Sequence, residues 1–238
     1  MIKILIILIL ICWGLPLQAY HPTSLKNLLR SRHCPACDLN NAPLEKANLS
    51  QANLNKAILT EANLRWTNLK RANLAAAALA GADIEWANLS GASMEGADLS
   101  YTSVRFTNFT HADMRGVQMN EADLSHAELR DTNLEEANLY FGRLLNADFQ
   151  RANLKRANLQ NSYLEGTLFN NANLEGAYLQ GAGLIESNFM GANLREANLK
   201  GARIEDVSWD GATLDGAIWV DGSICPKGSK GSCGGKTE

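Results

Sequence analysis

Histidine, long apolar runs and surplus positive charge are scarce in this chain, and each shortage removes a class of function. Only four histidines occur in 238 residues, His21, His33, His111 and His126, and none sits in a spacing that defines a metal site or supplies a nucleophile with its base. Lys and Arg number 22 against 25 Asp and Glu, so there is no cationic surplus to neutralise a phosphate backbone. Direct nucleic-acid binding is therefore not expected. Carboxylates are plentiful, but they alternate with Lys and Arg, as around Glu135 and Glu136. That pattern describes a solvated face rather than an acid/base pair. The glycine-rich stretch near the carboxyl end lacks the Gly-Lys-Ser/Thr pattern of a phosphate loop and has no strand before it or helix after it. No catalytic, cofactor or metal site is expected, and the chain does not read as an enzyme.

The unbroken apolar run, Ile4 to Trp13 in "MIKILIILILICWGLPLQAY", is too short to span a bilayer comfortably. With Lys3 before it and Gly14, Pro16 and "LQA" after it, the segment 1–19 reads as a secretory leader cleaved after Ala19. The competing reading is an uncleaved anchor, since Leu17 is larger than the small residue usual at its place. Ile11 ahead of Cys12 is too bulky for a lipoprotein site. Export places the chain, from Tyr20 onward, in the bacterial periplasm or outside the cell, with no stable membrane insertion.

Beyond residue 36 the sequence repeats every fifth residue. From Leu39 to Trp219, stepping by five without an insertion, 25 of 37 positions are Leu and the other twelve are Ile, Val, Met, Phe or Trp. Two residues before each stands a small residue, Ala in 26 cases. A step of five rotates about 500° on an α-helix, about 140° past a full turn, so the Leu positions would wind all round it. On a straight strand an odd step sends successive Leu to opposite faces. A chain that turns a corner every five residues keeps both positions inside, and its coils stack by backbone pairing.

The exceptions to Leu count the sides. Phe149, Phe169, Phe189 and Trp209 recur at intervals of twenty, which means four sides of five and an interior aromatic stack along one wall. On the outside, the same interval lines up Trp66, Trp86, Phe106 and His126, and beside them Glu45, Arg65, Glu85 and Arg105 alternate in sign. Two readings of this column stand open. Aromatics beside Arg65 and Arg105 form a binding strip for a protein or a sugar, or stacked side chains merely hold coils in register.

The unit seen in "ANLKRANLQ", "ANLEGAYLQ" and "ADLSHAEL" resembles that of the pentapeptide-repeat family, A(D/N)LXX, over residues 37–219. The resemblance implies an all-β fold: a right-handed quadrilateral β-helix, here of about nine coils and roughly 45 Å long at the strand spacing. Some members of that family mimic DNA and bind DNA gyrase through an acidic rod surface and end-to-end dimerisation. Mixed charge, covered ends and the leader set this chain apart from them.

A stack of coils has two raw ends that need covering. Residues 20–36 carry Leu25, Leu28 and Leu29 at helical spacing behind Thr23 or Ser24 as a cap, giving a short helical cover. Residues 220–238 form the other cover, with Trp219, Val220 and Ile224 folded across the last coil. After the leader four cysteines remain, an even number that suits an oxidising compartment. The expected pairs are Cys34 with Cys37 and Cys225 with Cys233. A shared zinc site is the rival, and the rod puts the two pairs at opposite ends.

These observations lead to a non-enzymatic interaction scaffold, a stiff rod presenting side chains to a protein or glycan. It is expected as a monomer rather than an end-to-end dimer. Gyrase binding, if the protein stays in the cytoplasm, and a secreted effector or purely structural element are the alternatives.

Overall fold

The computed structural model describes residues 20–236; the leader expected over residues 1–19 lies outside them. Parallel bridges join residues twenty apart all along the chain: His33 to Asn53, Asp38 to Ile58, Pro43 to Asn63, Asn48 to Asn68, and so on to Asn198 with Ile218. One coil is therefore twenty residues, in four sides of five. Side 1 holds interior residues Leu44 to Ile204, side 2 Leu49 to Trp209, side 3 Leu54 to Leu214 and side 4 Leu39 to Trp219.

Each corner is a four-residue turn. The Ala42 amide donates to the Leu39 carbonyl at 2.9 Å, and between them Asn41 takes a left-handed φ of +57°. The third residue of the turn has positive φ at every corner from Ala36 to Gly216. Asn or Asp before the Leu is explained by the same corner. Its side-chain oxygen accepts the amide two residues on, as in Asn53 with Asn55 at 3.2 Å, which steers the backbone into the bend. Along side 3 these amides also bond from coil to coil, Asn153 to Asn133, Asn173 to Asn153 and Asn193 to Asn173 at 3.0–3.1 Å.

The interior is apolar and continuous. Leu and Ala positions from Leu39 to Trp219 are almost all buried. Where Thr or Ser replaces Ala, its hydroxyl donates to a carbonyl: Thr67 to Leu44, Thr107 to Ile84 and Thr167 to Leu144 at 2.7–2.8 Å. No buried hydroxyl at these places is left unsatisfied, so the substitution costs little. Phe149, Phe169, Phe189 and Trp209 stack on side 2 with centroids 4.7–5.2 Å apart and planes 15° from parallel.

Helix α1 (Pro22–Ser31) lies at the start, with Leu28 buried in the core. It begins earlier than the sequence suggested: Pro22 occupies the first turn, His21 is the capping residue, and neither Thr23 nor Ser24 caps it. Proline's fixed φ and missing amide suit that place and need no side-chain cap. Cys34 and Cys37 are disulfide-bonded, with Cα atoms 5.4 Å apart.

At the far end the chain reverses. Thr213 pairs with Lys230 and Ile218 with Ile224 in antiparallel fashion, and Cys225 is bonded to Cys233 with Cα atoms 4.9 Å apart. This strap crosses sides 3 and 4 only. On sides 1 and 2 the amides of Ile204, Asp206, Trp209 and Gly211 have no partner among the described residues, and Ile204 and Val207 stay half-buried. Ile224, expected across the last coil, is instead 72% exposed. It sits opposite Ile218, an outward position, and directly opposed residues of an antiparallel pair share a face. Trp219 and Cys225 provide the cover there.

Candidate functional site

Four rings climb the corner after side 1. Trp66 and Trp86 have centroids 5.0 Å apart, Trp86 and Phe106 4.2 Å, and Phe106 and His126 4.8 Å, with planes within 3–7° of parallel. They line up because the backbone repeats every twenty residues and all four occupy the left-handed corner position. Trp66 is 50% exposed and Trp86 40%.

Stacking decides what the column can bind. Each inner ring is covered on both faces by its neighbours, so the ladder turns ring edges to solvent. A sugar ring needs an open aromatic face, and only the two end rings retain one. Edges carry the positive part of the ring quadrupole and suit carbonyl and carboxylate oxygens. The ladder thus offers ring edges, rather than open ring faces, along most of its length.

The charged column beside it is less regular than its sequence alternation. Arg65 reaches Glu85 at 2.7 Å and Asp83 at 3.1 Å, and these carboxylates, Asp83 foremost, hold its guanidinium above its ordinary pKa. Glu85 is pulled both ways: burial raises its pKa, while the Ser103 hydroxyl at 2.7 Å and Arg65 lower it and prevail. Glu45 pairs with its neighbour Lys46 at 2.9 Å, and Arg105 turns to Asp123 at 4.0 Å with its guanidinium 5.4 Å from the Phe106 ring centre. Only the Arg65–Glu85 rung is closed by a direct ion pair.

Farther up side 1 lies a feature the sequence reading missed. Arg143, Leu145, Tyr163 and Glu165 line a shallow cleft, with Tyr163 exposed. The signal was present, since Leu145 and Tyr163 are large residues at outward positions of the five-residue unit. From Trp66 to this cleft the strip spans five coils, roughly 24 Å at the strand spacing.

Side 3 carries a second missed column: Glu95, Arg115, Glu135, Lys155, Glu175, Arg195 and Asp215 alternate in sign over seven coils. Arg115 meets Glu95 at 3.0 Å, Lys155 meets Glu175 at 2.8 Å, and Arg195 meets Asp215 at 3.7 Å. Six of its seven charges are paired along the column, all but Glu135, so it fastens neighbouring coils. His111 and His126 lie on different sides, and among the described residues no three metal-ligating side chains cluster.

A family model described as pentapeptide repeats matches this chain in eight copies between residues 37 and 218. Among solved structures it is similar to HetL, a pentapeptide repeat protein involved in heterocyst differentiation regulation from the cyanobacterium Nostoc. They share 32% identity over 86% of this chain and 99% of that one, with a TM-score of 0.36. A pentapeptide repeat protein of the Arabidopsis thaliana thylakoid lumen is 25% identical over 40% of this chain and 66% of its own, with a TM-score of 0.39. QnrB1, a plasmid-mediated fluoroquinolone resistance protein, is 15% identical over 69% of this chain and 87% of its own, at 0.45. No curated protein matches.

Proposed function

The chain belongs to the pentapeptide-repeat family, and from that premise we propose that it is an exported, non-enzymatic scaffold whose side 1 binds a protein. The rod is a right-handed, four-sided β-helix of about nine coils, with α1 and the terminal strap as its covers. The observation that carries the reading is the edge-out ladder of Trp66, Trp86, Phe106 and His126. Rigid aromatics with few rotamers to freeze are the side chains from which interface anchors are built. The clefts on the walls, such as that lined by Arg143, Leu145, Tyr163 and Glu165, are shallow and open, which supports a binding role over catalysis.

Export is supported by the segment 1–19 and by four cysteines in two bonded pairs. Binding to gyrase would require a cytoplasmic chain and an acidic rod face, and side 3 alternates in sign instead.

Two measurements test the proposal. The protein taken from its native host should have a mass beginning at Tyr20 that rises by about 4 Da on reduction of two disulfides. A full-length, reduced mass would overturn export and restore the gyrase reading. A partner captured from the same compartment should be lost with Trp66→Ser and Trp86→Ser and kept with Arg195→Gln. An unchanged partner profile with a lowered Tm would reduce the ladder to a fastening of the coils.

A further inference from the structure

We propose that the amino-terminal end of the rod docks on an anionic lipid bilayer. Helix α1 uses Leu28 to close the core. Pro22, Leu25 and Leu29, one turn apart, with Lys26 and Arg30 beside them, line an open groove together with Tyr20; Leu25 and Tyr20 also pack partly against the core. Leu29 is 53% exposed. A helix with apolar side chains flanked by cations is the arrangement that settles into a headgroup layer.

Charge along the chain selects the anionic surface. No acidic residue precedes Asp38, while Lys26, Arg30 and Arg32 all fall in or beside α1. From Asp38 onward 18 Lys and Arg face 25 Asp and Glu. The rod therefore carries net positive charge at one end and net negative charge on the rest, so it approaches an anionic membrane end-on and its body is repelled. Single apolar insertions bind weakly, and cations added to them give measurable adsorption. Cleavage after Ala19 would add the new amine at Tyr20 to the same patch. The surface is separate from side 1 and does not depend on what the ladder binds.

Every buried apolar residue among those described lies between Leu28 and Cys233, so residues 20–238, the chain expected after cleavage, carry the described core and serve as the test protein. Flotation with phosphatidylcholine vesicles, with and without about a third phosphatidylglycerol, measures binding at low and high salt. Binding is expected to the anionic vesicles alone, to fall as salt rises, and to weaken about thirty-fold in Lys26→Gln/Arg30→Gln, at about 1 kcal/mol per charge. Leu29→Ser should weaken it too; Lys26→Arg should preserve it, and Trp66→Ser/Trp86→Ser should leave it unchanged. No flotation, equal flotation on neutral vesicles, or loss only in the tryptophan variant would overturn the proposal, the last by moving the contact to side 1.

Discussion

Trp66 lies flat against Trp86, centroids 5.0 Å apart and planes 7° from parallel, while Trp86 is covered on its other face by Phe106. The middle ring therefore has two stacked neighbours and the end ring one. At about 0.5–1.5 kcal/mol per aromatic pair, Trp86→Ala should cost about twice the stacking energy that Trp66→Ala does. Urea titrations of both variants check this, and equal losses would mean that the rings stand side by side without supporting each other.

Corners offer a second test. Ala76 sits at φ +53° and Gly81 at +68°, a region costing an L-residue about 1–2 kcal/mol. Ala76→Gly should stabilise the rod by somewhat less than that, since glycine also loosens the unfolded chain. Gly81→Ala should do the reverse, as its added methyl would meet only the Glu61 side chain at ordinary contact distance. A pair of melting curves decides it.

Leu154 is fully buried on side 3. Leu154→Ala should cost about 2–5 kcal/mol, and Leu154→Asp, which leaves a carboxylate without a partner in the interior, should open at least the coils above and below it. Hydrogen exchange would show the loss centred on those coils. A Leu154→Asp protein melting like the parent would refute the interior assignment.

Acid should melt the rod through its ion pairs. Hydrogen bonds from Arg115, Arg151 and Lys155 hold Asp113, Asp131 and Glu175 below the ordinary carboxylate range. A carboxylate with a depressed folded pKa stabilises above its unfolded value, about 3.9 for Asp and about 4.3 for Glu, and that contribution is lost as pH falls through the folded value. From these pairs Tm should fall as pH drops below about 4, and salt should shrink the effect.

Removing the Cys225–Cys233 bond by a double Cys→Ser change should cost about 2–3 kcal/mol for so short a loop. Amides of Leu214, Gly216 and Trp219, which donate to the strap, should then exchange faster, while those near Leu44 stay protected. Uniform loss along the rod would contradict stacking in which each coil contacts only its neighbours.

The body of the rod was legible because each unit restates the same constraint: a five-residue step from Leu39 to Trp219 and aromatic exceptions at twenty leave few ways to fold. Its ends were less so, because each is used once and nothing repeats to expose an error. Pro22 moved the helix start, and a chain reversal no period announces turned Ile224 outward. Local chemistry also overrode the columns, as when Glu45 took Lys46 beside it rather than Arg65 above. The side 3 charges from Glu95 to Asp215 obeyed the same interval as the aromatics and were there to be read.

Because every parallel bridge joins residue i to i + 20, the molecule is graduated like a ruler. Twenty residues inserted at any corner lengthen it by one division of about 4.8 Å and leave each column intact. Five residues inserted would give everything beyond them a quarter-turn, parting the Trp66 ladder from the Tyr163 cleft or presenting the wrong two sides to the strap. Length in such a chain can change only in whole coils.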